Sequence, residues 1–154
     1  MSVSKIVDLR NQSEAGEYGV AFASRQTTGD YDHAFMIWYY SDPSNHRTVR
    51  RGAGFYGVAA ENAFDLVLGT SGGLLDDSRE RIDHQLIVLV SKPTFDASIA
   101  VEIRYGNGET YRLGFNDCTT FVESVAKAVA GLTVPSRLAN LFPNRFIRAM
   151  FDAN

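Results

Sequence analysis

Cys118 is the single cysteine among 154 residues, and it stands in Asn116-Asp117-Cys118-Thr119-Thr120-Phe121-Val122, where a loop is predicted to enter a helix. A thiol at a helix N-terminus faces unpaired backbone N–H groups and the positive end of the helix dipole, and both favour the thiolate. All three histidines, His33, His46 and His84, precede it. An imidazole brought alongside would complete a cysteine nucleophile with its base. The first-turn N–H groups would then face an oxyanion developing on an attacked carbonyl. The competing reading is a small, packed, chemically idle cysteine. Its polar neighbours Asn116, Asp117, Thr119 and Thr120 speak against that, since a core cysteine would have apolar neighbours at helical spacing. Asp117 works against a thiolate, because its charge raises a nearby thiol pKa unless it turns away to cap the helix.

His33 opens the run His33-Ala-Phe-Met-Ile-Trp-Tyr-Tyr40, so it belongs at a sheet rim, either as a half-exposed base or as a surface residue before a buried strand. His84 holds the same kind of position before Gln85–Val90 and competes for the role. His46, in Ser44-Asn45-His46-Arg47, either orients another imidazole or is simply solvated. The glycine-rich stretch 69–73 is not followed by Lys-Ser/Thr, and no H-E-x-x-H spacing occurs, so neither a phosphate loop nor a metal nor any other cofactor is expected.

The elements that must position these groups are strands first and helices last. Tyr18–Gln26, Ala34–Tyr40 and His84–Val90 read as strands, the second bounded by Gly29-Asp30 and by the turn-forming Ser41–Asn45. Gly69 to Asp77 reads as a mobile loop. Residues 93–113 support two readings: alternation of Ile99, Val101, Ile103 and Tyr105 with a Gly106-Asn107-Gly108 turn favours a hairpin into Thr110–Leu113, whereas Thr94 as N-cap would open a helix. Cys118–Ala130 is predicted helical, capped by Asp117 and ended by Gly131, with Phe121, Val122, Val125, Ala126 and Val129 on one face. A second helix is predicted from Pro143 through Phe146, Ile147 and Met150, with Arg137, Arg145 and Arg148 on a solvated basic face.

The totals, 45% hydrophobic and 21% charged residues, describe an ordinary globular chain of one domain, residues 1–154. A net charge of −3 gives no broad basic surface, so nucleic acid is not expected as a partner. One cysteine excludes an internal disulfide framework and a multi-cysteine zinc site. Met1–Arg10 lacks the pattern of a secretory leader, and the longest apolar run, Leu86–Val90, is strand-sized, so stable membrane insertion is not expected. The expected location is the cytoplasm as synthesised, with export by a leaderless route as the alternative.

A histidine-led strand (His33-Ala-Phe), further strands, and then Asn116-Asp117-Cys118-Thr119-Thr120-Phe121-Val122 late in the chain resembles the permuted NlpC/P60-type branch of the papain-like superfamily. The resemblance implies an α+β fold, with an antiparallel, partly barrel-like sheet packed on the cysteine-bearing helix. It implies a core over about residues 18–131, a C-terminal helical extension over about 135–154, and a helix before the cysteine loop. Cys118 would be the nucleophile, His33 its general base and acid, and a polar residue on the next strand, near His46, would hold the imidazole. The implied activity is cleavage of an amide or peptide bond, as in a bacterial cell-wall amidase or effector, accompanied by an inhibitor or a delivery protein. The alternatives are thioester-forming acyl transfer or lipase action by the same acyl-enzyme, and a non-enzymatic binding module. Hydrolysis is preferred because the chain shows neither a membrane anchor nor an amphipathic basic helix.

Overall fold

The computed structural model describes residues 1–26 and 32–154. The expected turn at Gly29-Asp30 lies outside the described residues. Seven strands, β1 (Val3–Asp8), β2 (Glu17–Arg25), β3 (His33–Asp42), β4 (Arg47–Gly57), β5 (Thr70–Leu75), β6 (His84–Val90) and β7 (Thr110–Tyr111), form one sheet in the order β1-β6-β2-β3-β4-β5-β7. Four helices accompany them: α1 (Ala63–Leu68), α2 (Lys92–Gly106), α3 (Cys118–Lys127) and α4 (Pro143–Ala153). The α+β class agrees with the sequence reading. The sheet differs from the expected barrel-like antiparallel one: it is open, and it is mixed, because β1 runs parallel to β6.

The centre of the sheet is built from the most apolar strands. In β2 and β3, Val20, Phe22, Met36 and Trp38 face the helices, while Ala21, Ala23, Phe35 and Ile37 form a smaller cluster on the opposite face. Burial on both faces explains why these strands lack a clear polar alternation. Against the larger cluster α3 sets Phe121, Val122, Val125 and Ala126, and α4 sets Phe146, Ile147 and Met150, all fully buried. A side chain such as Phe121 contributes roughly 2–3 kcal/mol by leaving water. These contacts hold the N-terminus of α3 against the sheet.

Residues 92–106 are helical, and the alternation of Ile99, Val101 and Ile103 does not mark a strand. Ser91, not Thr94, is the N-cap, with Pro93 in the first turn. The inward positions are Ser98, Glu102 and Tyr105, spaced four and three apart, while Ile103 is largely exposed. The buried stripe was hidden because two of its members are polar. Both find partners: the Ser98 hydroxyl accepts from Trp38 Nε1 at 2.9 Å, and Glu102 accepts from Arg51 at 2.5 Å. α3 ends at Lys127 with Ala128 as C-cap, earlier than the expected Gly131. Gly69–Asp77 is not a free loop. Its first residues are β5, paired with β4 and β7.

Candidate active site

Asp117 fixes the surroundings of Cys118. Its side chain accepts from the Thr119 and Thr120 backbone N–H groups at 3.0 and 3.1 Å, and Thr120 Oγ1 accepts in return from the Asp117 N–H. This closes a capping box that starts α3 at Cys118. The second carboxylate oxygen accepts from Gly114 N at 2.9 Å and from Arg137 Nη2 at 2.7 Å. The charge that would have opposed a thiolate is therefore engaged by four N–H donors, one of them on a cation. Arg137 lies ahead of α4 in the 131–142 segment, part-buried against Asp117, and does not belong to a solvated face; Arg145 and Arg148 do.

His33 begins β3 at the place where β4 parts from it. Pairing of β3 with β4 stops at Met36 and Ala53, and beyond that point β4 pairs with β5. The gap admits the chain that follows β5, and Asp77 enters it. His33 Nε2 and Asp77 Oδ2 lie 2.8 Å apart, and Tyr56 OH donates to both carboxylate oxygens at 3.0 and 3.1 Å. The approach requires bare backbone. A Cβ on Gly54 would overlap Asp77 Oδ2 and stand 2.6 Å from His33 Nε2, and one on Gly52 would meet the Asp77–Ser78 backbone. Two glycines on one face of β4 thus form the track over which Asp77 reaches the imidazole.

Cys118 and His33 line one cavity of about 830 Å³, to which Asp77 is joined only through His33 and Tyr56. Each is mostly desolvated, with 6%, 6% and 3% of its surface exposed. Burial alone would lower the His33 pKa. Hydrogen bonding to Asp77 and to the Cys118 thiol overrides it and raises the value from 6.5 to about 9. With Nε2 turned to Asp77, Nδ1 is the nitrogen left for the thiol. The sulfur's other polar neighbour is Thr119 Oγ1, at a long 4.0 Å. Tyr111, on β7, lines the same cavity; burial, then the neighbouring Cys118 and Asp117, raise its phenol pKa, while the Cys118 backbone N–H acts the other way.

The structure therefore brings together Cys118 and His33 and leaves out His46. β3 spans roughly 30 Å at ~3.3 Å per residue, and His46 sits in the hairpin beyond its far end. It is exposed there, with φ 55, and lines a separate shallow surface with Arg10 and Arg47. Asp77 takes the third position that proximity in sequence had suggested for His46. His84 stands outside the cavity, two strands from the start of β3: it pairs with Ser24 and Val3, and its buried Nδ1 has no hydrogen-bond partner among the described residues. Asp77, Tyr56 and Tyr111 escaped the sequence reading. The available signal was Gly52-Ala53-Gly54, alternate glycines within a strand, which mark a close approach by another segment. Among the described residues, no group of three or more His, Cys, Asp or Glu side chains could hold a metal ion. No helix among them is long and apolar enough to cross a membrane. Comparison with protein-family models, with curated proteins and with solved structures finds no match to this chain.

Proposed function

We propose that the chain is a cysteine-nucleophile hydrolase of amide or peptide bonds, with the strand-before-helix order of the permuted papain-like branch. The observation that carries the reading is the line Cys118–His33–Asp77, with the thiol and the imidazole on the wall of one cavity and Asp77 itself held by Tyr56. A thiol, an imidazole and an orienting carboxylate are the groups that acyl transfer through a covalent intermediate needs.

Each step then has a residue. Cys118 Sγ gives up its proton to His33 and attacks the carbonyl carbon. The oxyanion meets the Cys118 N–H, the dipole of α3 and the Tyr111 hydroxyl. His33 returns the proton to the leaving amine as the carbon–nitrogen bond breaks. Water, deprotonated by the same imidazole, releases the acyl group from sulfur. Asp77 stabilises the imidazolium throughout and stays ionised. Acyl transfer to another nucleophile would share every step up to the thioester.

Cys118→Ala and Cys118→Ser test the reading. Both variants are expected to abolish turnover while moving the thermal midpoint by no more than a degree or two. Since the chain has no other cysteine, rapid wild-type alkylation by iodoacetamide at pH 6 reports on this thiol alone. Turnover surviving in Cys118→Ala, or a thiol as sluggish as a packed one, would end the proposal and favour a binding module.

A further inference from the structure

An imidazole that serves as base and then as acid must take a proton from the thiol and later part with it. A buried carboxylate beside His33 favours the first event and hinders the second, because it holds the proton on the ring. Asp77 is not left to the imidazole alone. Tyr56 OH lies 3.0 and 3.1 Å from its two oxygens, and the Tyr56 ring stands 4.5 Å from the His33 ring, so one side chain touches both members of the pair.

Arg25 decides which way the phenol proton points. It is the last residue of β2 and faces His33 across the antiparallel ladder, which sets the two side chains on one face. Its Nε pairs with Glu80 Oε2 at 2.9 Å, and its guanidinium is also hydrogen-bonded to the Tyr56 hydroxyl. A guanidinium has no acceptor, and an ionised carboxylate has no donor. The Tyr56 oxygen therefore accepts from Arg25, and its single proton goes to Asp77. Burial and the Asp77 charge raise the phenol pKa, so that proton stays in place.

The other charged or titratable groups around His33 do not duplicate this role. On α3, Asp117 is already paired with Arg137 at 2.7 Å, and Cys118 is the thiol that exchanges the proton. Tyr111 of β7 is kept protonated by burial. Asp32 and Glu61, which line the same cavity, favour an imidazolium as Asp77 does. Arg25, bonded to the phenol that Asp77 shares with His33, is the cation that acts against them.

Resting on the nucleophile and base assigned above, we infer that Arg25, acting through Tyr56, is a positioning residue that shares the Asp77 carboxylate and loosens its hold on the His33 proton. The imidazolium then returns that proton to the leaving amine instead of keeping it.

Arg25→Gln and Tyr56→Phe test this by pH titration of the His33 ring resonances, with Arg25→Lys as the charge-keeping variant. Either removal leaves Asp77 to the imidazolium alone, so the midpoint should rise from about 9 by about half a unit to one unit. Arg25→Lys should bring it back toward the wild type. Mere loosening of the site has the opposite sign, since an Asp77 that drifts away lets burial lower the midpoint. Two reporter substrates read the consequence: p-nitrophenyl acetate releases a phenolate that needs no proton, and N-acetyl-alanine p-nitroanilide releases an amine that needs one. Arg25→Gln should lower turnover of the anilide more than that of the ester, by about threefold. A midpoint that falls or stays put in both variants, with Cys118 still acylated by the ester, would overturn the inference and leave the nucleophile standing. A wild type that forms no acyl-Cys118 with either substrate would overturn both.

Discussion

Replacing Asp77 by Asn removes one negative charge at nearly constant volume, and its effect can be worked from the geometry. The His33 pKa stands at about 9 against 6.5 for a free imidazole, despite burial that would lower it. The rise, about 2.5 units, corresponds to about 3 kcal/mol in favour of the imidazolium. The folded protein keeps a proton that the unfolded chain loses above pH 6.5. That stability is therefore complete below pH about 6.5 and lost as pH climbs through 9. The hydrogen bond to Asp77 is the largest single contribution sustaining the rise, and Cys118 adds to it. Asp77→Asn should lower the His33 midpoint by at least about one unit, followed directly by histidine ring resonances in a pH titration. Urea unfolding at pH 6 and pH 9 should show the wild type losing about 2–3 kcal/mol across that window, and the variant distinctly less. Alkylation of Cys118 at pH 6 should slow in parallel. A His33 midpoint unmoved by the substitution would refute the coupling of carboxylate to imidazole on which the site rests.

Gly54→Ala should displace Asp77 from His33, lowering activity at least about a hundredfold and stability by about 1–3 kcal/mol, measured by turnover and by urea unfolding. Asp117→Ala removes the cap of α3 and strands the part-buried Arg137, so urea unfolding should show a loss of about 3–5 kcal/mol; Asp117→Asn, which keeps the cap, should lose less. Tyr111→Phe should lower kcat about ten- to a hundredfold with KM nearly unchanged, as the oxyanion contact proposed for its hydroxyl requires.

How much of this was legible depended on whether the signal was local. The strand His33–Asp42 and the helix from Cys118 announce themselves through apolar periodicity and an N-cap, and they carry the imidazole and the thiol of the candidate site. Pro143 opens α4 as its position suggested. Asp77 was not legible, because it lies beyond a glycine-rich stretch whose strand character comes from pairing with β4 and β7 and not from its own residues. β1 is equally silent, since its pairing with β6 spans some eighty positions. His46 was attractive only by proximity in sequence; an extended strand of ten residues carries its far end well away from the site. Arg137 read as surface charge because nothing in its own segment reveals the carboxylate that receives it.

The carboxylate beside His33 arrives on its main chain, across two positions of β4 too crowded to hold any side chain. Its place is thus set by the path of the backbone and its orientation by Tyr56, and both endure as long as the β4–β5 ladder does. Fraying of that short hairpin would leave the molecule compact and its thiol in place, yet with an imidazole free to spin. Chemical silence in this protein would then precede unfolding.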